Sequence, residues 1–131
     1  MVSEEHNPGT AVVFGASGAL GAALVRRLLA DGRYSAVHAG ARDPAKVPQG
    51  AVPFQFDLTS EASIAGAVEA LPAAPTLVIV ATGLLHDEAQ GVAPEKNWRA
   101  LDPAAMAQVY AANAIGPALI AKHILPRLPR R

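Results

Sequence analysis

The segment Gly15-Ala16-Ser17-Gly18-Ala19-Leu20-Gly21 limits the possible folds of this chain more than any other. It follows a short β-branched run, Thr10 to Phe14, and opens a run with apolar residues at helical spacing, Ala19 to Ala30. A strand that turns through glycines into a helix is the first unit of a parallel α/β sheet. Glycines let the chain turn sharply and bring backbone close to a ligand. The first N–H groups of a helix have no partner within it, and the helix dipole favours an anion there. The arrangement therefore reads as a phosphate site made by Gly15, Ser17, Gly18, Ala19, Leu20 and Gly21. The Ser17 hydroxyl is available to phosphate or ribose. The spacing is G-x-x-G-x-x-G, not the G-x-G-x-x-G of the general dinucleotide fingerprint. An ordinary glycine-rich turn is the alternative.

The rest of the chain alternates short apolar runs with longer helical ones. In the first helix Leu20, Leu24 and Leu28 share a face, predicted to be the core face, and Asp31-Gly32 stops it. Ser35 to Ala41 reads as a second strand. Asp43 to Pro53 holds three prolines and a glycine and reads as loop. Pro53 to Phe56 is a third strand, and Ser60, with Ser63 three residues on, caps a helix to about Leu71. Thr76 to Ala81 is the clearest strand, and its unbroken apolar character predicts a sheet covered on both faces. A long loop, Gly83 to Asp102, is expected to be anchored against the core by Trp98. Asp102 and Pro103 open a last helix to about Leu125, kinked at Gly116-Pro117. The order β-α-β-β-α-β-α with right-handed crossovers predicts an α/β fold, a three-layer, doubly wound parallel sheet of Rossmann type with strand order 3-2-1-4. One domain spans 1–131, with 1–9 a polar tail.

Charge and composition exclude other classes. Eleven basic residues balance eleven acidic ones, so no global field recruits nucleic acid or an anionic membrane. There is no cysteine, which rules out disulfides, thiol catalysis and thiolate metal sites. His6, His38, His86 and His123 show no ligand spacing, so no metal is expected and packing or surface roles are. The longest apolar runs fall short of the roughly 18 residues of a membrane span. The first residues are polar and acidic, unlike a secretory signal. A cytoplasmic protein is the expectation.

Two further places bear on a dinucleotide. An acidic residue about 20 positions past the glycines binds the ribose 2′-hydroxyl of NAD. Here that region reads Ala39-Gly40-Ala41-Arg42-Asp43, and an arginine fork at Arg42 suits a 2′-phosphate. NADP(H) is thus favoured over NAD(H), unless Arg42 is a loop residue paired with Asp43. Asp57, followed by Leu58, ends the third strand beside the expected adenine pocket; a helix cap is the alternative for Asp57. Ala81, Thr82 and Gly83 end the fourth strand at the switch point and would lie near the nicotinamide ribose.

The pieces GASGALG, FDLTS, ATGLLHD, PEKNWRALDP and YAANAIGPALIAKHILPRL resemble, in order and spacing, the short-chain dehydrogenase/reductase family, nearest its C-factor (cell–cell signalling) branch. The resemblance runs from Thr10 onward. It implies hydride transfer between a nicotinamide and a small carbonyl or alcohol. It also implies that Asn113 is the asparagine of the family's catalytic tetrad, whose backbone helps hold a proton-relaying water. There are two departures. The family's N-x-A-G reads Val80-Ala81-Thr82-Gly83, which loses a tie between the fourth strand and its surroundings. The catalytic serine and Y-x-x-x-K are absent, since Tyr34 and Tyr110 are followed four residues on by His38 and Ala114. The chain resembles the N-terminal half of such an enzyme and is expected to be inactive alone. Its fourth strand would have a bare edge, expected to be covered by another copy or by a complementing chain. A non-catalytic dinucleotide-binding or regulatory module and a truncated structural fragment are the alternatives.

Overall fold

The structure, a computed structural model, describes residues 8–84 and 93–130. The readings of His6 and His86, and the first seven residues of the tail, lie outside that range. Strands β1 (Thr10–Phe14), β2 (Ala36–Ala41), β3 (Val52–Gln55) and β4 (Leu77–Val80) form one parallel sheet in the order β3-β2-β1-β4. This is the predicted order. Val12 lies level with His38 on one side and Val78 on the other; Phe14 lies level with Gly40 and Val80. Alternation along β1 therefore sends Val12 and Phe14 to one face and Ala11 and Val13 to the other. Ser35, Phe56, Thr76 and Ala81, read as strand, lie just outside it; Ser35 Oγ donates to Gly9 O at 2.9 Å and Thr76 Oγ1 to Thr10 O at 3.3 Å.

The first face carries the larger side chains. Val12, Phe14, Phe56, Ile64, Val68, Leu71, Ile120 and Ile124 make its core. The Phe14 ring meets Phe54 and Phe56 edge-on, with centroids 5.4 and 5.2 Å apart. Helices α2 (Glu61–Glu69) and α4 (Gly116–Ile124) cover this face. Ser60 caps α2, its Oγ accepting from Ser63 N–H at 3.2 Å. At the other end the Arg127 guanidinium donates to the carbonyls of Val68 and Leu71, placing a cation on the negative end of the helix dipole. Lys122 and His123 both bond Glu61 Oε1, which fastens α4 to the first turn of α2.

The second face is lined by Ala11, Val13, Ala16, Val25, Val37 and Ala39 and is covered by α1 (Ala19–Asp31). Helix α1 is rotated from the expected face. Its buried residues are Gly21, Ala22 and Val25, while Leu20 is 68% exposed. The helix meets the sheet through its smallest residues, and only these let it come so close; Leu28 and Leu29 pack at the margin.

The last helical stretch opens with α3 (Pro103–Tyr110), capped by Asp102 Oδ2 accepting from Ala105 N–H at 3.1 Å. A π turn over Ala111–Ile115 leads into α4, with Gly116 N–H bonded to Ala111 O. Pro117 has no N–H to meet the Asn113 carbonyl, so the predicted break at Gly116-Pro117 takes the form of a widened turn. Ala112, Gly116, Ile120 and Ile124 recur every fourth residue and are buried. The run Pro103–Arg127 is 25 residues long and, by length and composition alone, apolar enough to cross a membrane. Counted as unbroken apolar residues, the measure applied to the sequence above, the stretch is interrupted by Gln108, Asn113, Lys122 and His123 and still falls short.

Two other expectations fail. Trp98 is 73% exposed and anchors nothing in the core. Asn97 caps a short turn there through a bond from Arg99 N–H at 2.9 Å, and the Arg99 guanidinium lies 4.6 Å from the indole centroid. Strand β4 is not fully covered on its faces, Val80 being 39% exposed; its outer edge is bare as expected, since among the described residues β4 pairs with β1 alone.

Candidate functional site

The carboxyl ends of the strands frame a cleft of about 470 Å³. Its nearer wall is the glycine turn. Gly15 and Ala16 N–H both donate to Gly40 O, at 3.0 and 2.9 Å, so the chain leaves β1 by crossing over β2. Gly15 has φ +86°, and a Cβ there would lie 2.8 Å from the Ala81 carbonyl. A Cβ on Gly21 would overlap the Gly15 carbonyl oxygen. Turn, first helical turn and end of β4 can close on one another only because both positions lack a side chain.

Gly18 differs. A Cβ there would meet nothing nearer than Gly15 O at 3.9 Å. It is the N-cap of α1, with no side-chain cap bond and no acidic residue in the first turn. The helix's first bond is Ala22 N–H to Gly18 O at 2.8 Å. The N–H groups of Ala19, Leu20 and Gly21 therefore lack an intrahelical acceptor. Gly15, Ser17 and Gly18 line the cleft, and the side chains of Ala19 and Leu20 lie outside it.

The far end is formed by Ala41, Arg42, Phe56, Asp57, Leu58 and Thr59. Asp57 Oδ1 accepts from the Thr59 hydroxyl at 2.7 Å and from Thr59 N–H at 2.9 Å. These two bonds, the hydroxyl first, hold the Asp57 carboxyl below its ordinary value against the opposing effect of burial; the Arg42 charge adds a smaller pull. Asp57 is not the cap of α2, a place taken by Ser60. No Arg42–Asp43 ion pair forms among the described residues; Asp43 Oδ1 accepts from Ala45 N–H at 3.0 Å.

The opposite wall is Ala81, Thr82, Gly83 and Leu84 with Gln108, Ala111 and Ala112. Asn113 stands behind it. Its Oδ1 accepts from Leu84 N–H at 2.6 Å and its Nδ2 donates to Leu84 O at 2.7 Å. This two-point bond holds the chain where it leaves β4, a tie that Val80 cannot make. Sequence reading missed Leu84, Gln108, Ala111 and Ala112 as lining residues. The signal was a single glutamine at i, i+3, i+4 spacing with alanines in an otherwise apolar helix. Two buried oxygens here, Thr82 Oγ1 and Gln108 Oε1, have no hydrogen-bond partner among the described residues.

The histidines in view are structural. His38 is buried in β2, where burial lowers its pKa, and His123 bonds Glu61. Among the described residues no three His, Asp or Glu stand together as a metal site.

Residues 15–120 match a family model described as NAD(P)H-binding. No curated protein matches the chain. Solved structures do. The NADPH-bound carbonyl reductase from chicken fatty liver is 24% identical with a TM-score of 0.75, over 90% of this chain and 47% of that one. A short chain dehydrogenase from Burkholderia cenocepacia J2315 in complex with NADP is 27% identical with a TM-score of 0.73, over 91% and 48%. A carbonyl reductase from Pseudomonas aeruginosa PAO1 is 22% identical with a TM-score of 0.74, over 93% and 57%. The chain spans about half the length of these structures.

Proposed function

This chain belongs to the NAD(P)H-binding family, and from that premise we propose that its cleft seats NADP(H), as the dinucleotide-binding part of a cytoplasmic short-chain dehydrogenase/reductase. The observation that carries the reading is the uncapped start of α1, opening through Gly18 into the cleft that Arg42 lines. The residues present fit the group. The first turn has no side-chain acceptor to occupy its N–H groups, and Gly18 leaves room for phosphate to approach them.

When bound, the nicotinamide supplies hydride exchange with a small carbonyl or alcohol. The chain's own residues bind and orient. Gly15, Ser17 and Gly18, with the N–H groups of Ala19, Leu20 and Gly21, receive the pyrophosphate. Arg42 takes the 2′-phosphate, which sets NADP(H) above NAD(H). Asp57 and Leu58 border the adenine, and Ala81, Thr82 and Gly83 the ribose. Asn113 is a positioning residue that acts through Leu84. No Y-x-x-x-K is present to move a proton, so reduction needs a tyrosine and lysine from a further segment or chain. That partner, or a second copy, would also cover the β4 edge.

Calorimetric titration with NADPH and NADH tests the reading. NADPH should bind more tightly, and Arg42→Ala should remove most of the difference. Equal loss of both would sink the assignment of Arg42 to the 2′-phosphate; no binding of either to the folded chain would overturn the proposal.

A further inference from the structure

Among the described residues, the buried side-chain oxygens without a hydrogen-bond partner are Thr82 Oγ1 and Gln108 Oε1, and both line the same cleft. Buried polar groups in folded proteins are almost always paired, and each exception calls for an explanation. Loose packing would scatter such atoms. Here they converge on one wall of one cavity, from two elements distant in sequence. Nothing in the packing of α3 demands a glutamine: the helix has no fully buried residue, and alanines stand three and four residues to either side of position 108.

The chemistry of the two groups narrows what they meet. A carboxamide oxygen only accepts, and a threonine hydroxyl accepts or donates. A phosphate oxygen brings no proton and would be repelled by Gln108 Oε1. The two walls thus differ in kind: the glycine wall offers N–H donors to an anion, and the β4–α3 wall offers an uncharged acceptor. An uncharged acceptor suits the nucleoside part of a ligand whose phosphates lie on the glycine wall.

We propose that Gln108 is a specificity-determining residue of this cleft, its Oε1 accepting a hydrogen bond from an N–H or O–H of the nucleoside part of the dinucleotide, with Thr82 Oγ1 making a second polar contact there. The proposal rests on the dinucleotide reading above. The donor is either the base amine or a ribose hydroxyl, which share this chemistry and are separable by experiment.

The test is calorimetric titration of the whole chain with NADPH and with its hypoxanthine analogue, in which a carbonyl replaces the base amine. The proteins are wild type, Gln108→Met and Thr82→Val, and the melting of each free protein is recorded. Gln108→Met should bind NADPH about tenfold more weakly, the loss of one hydrogen bond. The free variant should melt no lower than wild type, because it removes an unpaired buried acceptor. A merely structural glutamine would give the opposite pattern, a lower melting point with unchanged affinity, and that would overturn the proposal. If wild type prefers NADPH to the analogue and Gln108→Met erases the preference, the donor is the base amine. If Gln108→Met weakens both ligands equally, the donor is a ribose hydroxyl and the proposal stands. Thr82→Val should weaken binding in the same direction by a smaller factor. Unchanged affinity in both variants would sink the idea while leaving the dinucleotide reading intact; no binding by wild type would end both.

Discussion

The glycine wall of the cleft rests on backbone packed against backbone, whereas the β4–α3 wall hangs from one side chain. On the first, β1 is buried along Ala11–Phe14, and Gly15 and Gly21 stand where no Cβ fits. On the second, α3 has no buried residue, Tyr110 is 60% exposed, and Asn113 holds Leu84 by two bonds. Close packing tolerates little change and fixes a shape. A wall tied by exposed hydrogen bonds is cheaper to move. The comparison teaches that phosphate geometry is built into the core, while the surface meeting the rest of the ligand is held separately and more weakly.

Three substitutions probe that contrast, in descending order of effect. Gly21→Ala puts a methyl group onto the Gly15 carbonyl oxygen, so the whole domain should lose about 3 kcal/mol or more in chemical denaturation. Gly18→Ala is its control. Gly18 has an ordinary φ of −75° and open space around it, so stability should change by no more than about 0.5 kcal/mol. Equal losses in the two variants would break the claim that the wall is defined by close backbone contact.

Asn113→Ala should cost about 1–2 kcal/mol, the worth of two exposed hydrogen bonds. Its signature is local. Hydrogen exchange at the Leu84 amide should speed up while the Val13 amide in β1 keeps its protection. Uniform acceleration across both would mean that the two walls are one cooperative unit.

The smallest effect concerns the far end. Thr59→Val removes the hydroxyl that contributes most to the lowered Asp57 pKa, so that pKa should rise toward the ordinary carboxylate value in an NMR titration. The folded-state pKa lies below the unfolded one. Its contribution to stability is therefore present above the ordinary value, about 3.9, and is lost as pH falls through the lowered one. Wild type should accordingly be the more stable near neutrality, and the two should converge in acid. A difference that persists unchanged in acid, below the lowered value, would show that Thr59 acts through packing.

Much of the fold was legible along the chain. The β-branched runs, the Ser60 and Asp102 caps and the proline punctuation are local signals, and the order 3-2-1-4 follows from the handedness of their connections. Helix α1 was legible as a helix but not in its orientation. Its leucines form a clear stripe, yet the helix seats on Gly21, Ala22 and Val25, because close approach to a sheet face lined with small residues outweighs the leucine stripe. Trp98 misled in the same way: a large indole in a long loop is expected to bury itself, and here it lies on the surface with Arg99.

The candidate site divides along the same line. Gly15, Ser17, Gly18, Arg42 and Asp57 were readable because each follows directly from the end of a strand, where the topology places ligands. Gln108 and Leu84 were not, since one faces the cleft only after α3 is docked and the other only after Asn113 reaches back across 29 positions.

The sequence by itself determined the elements, their order, the glycine turn and the uncapped helix start, because each depends on backbone preferences within a few residues. The tertiary structure alone decided which side of α1 is buried, how far β4 is covered, and which oxygens of Thr82 and Gln108 are left without partners. Those depend on close contact between segments far apart in the chain, where the absence of a single Cβ or the missing N–H of Pro117 sets how neighbouring elements meet.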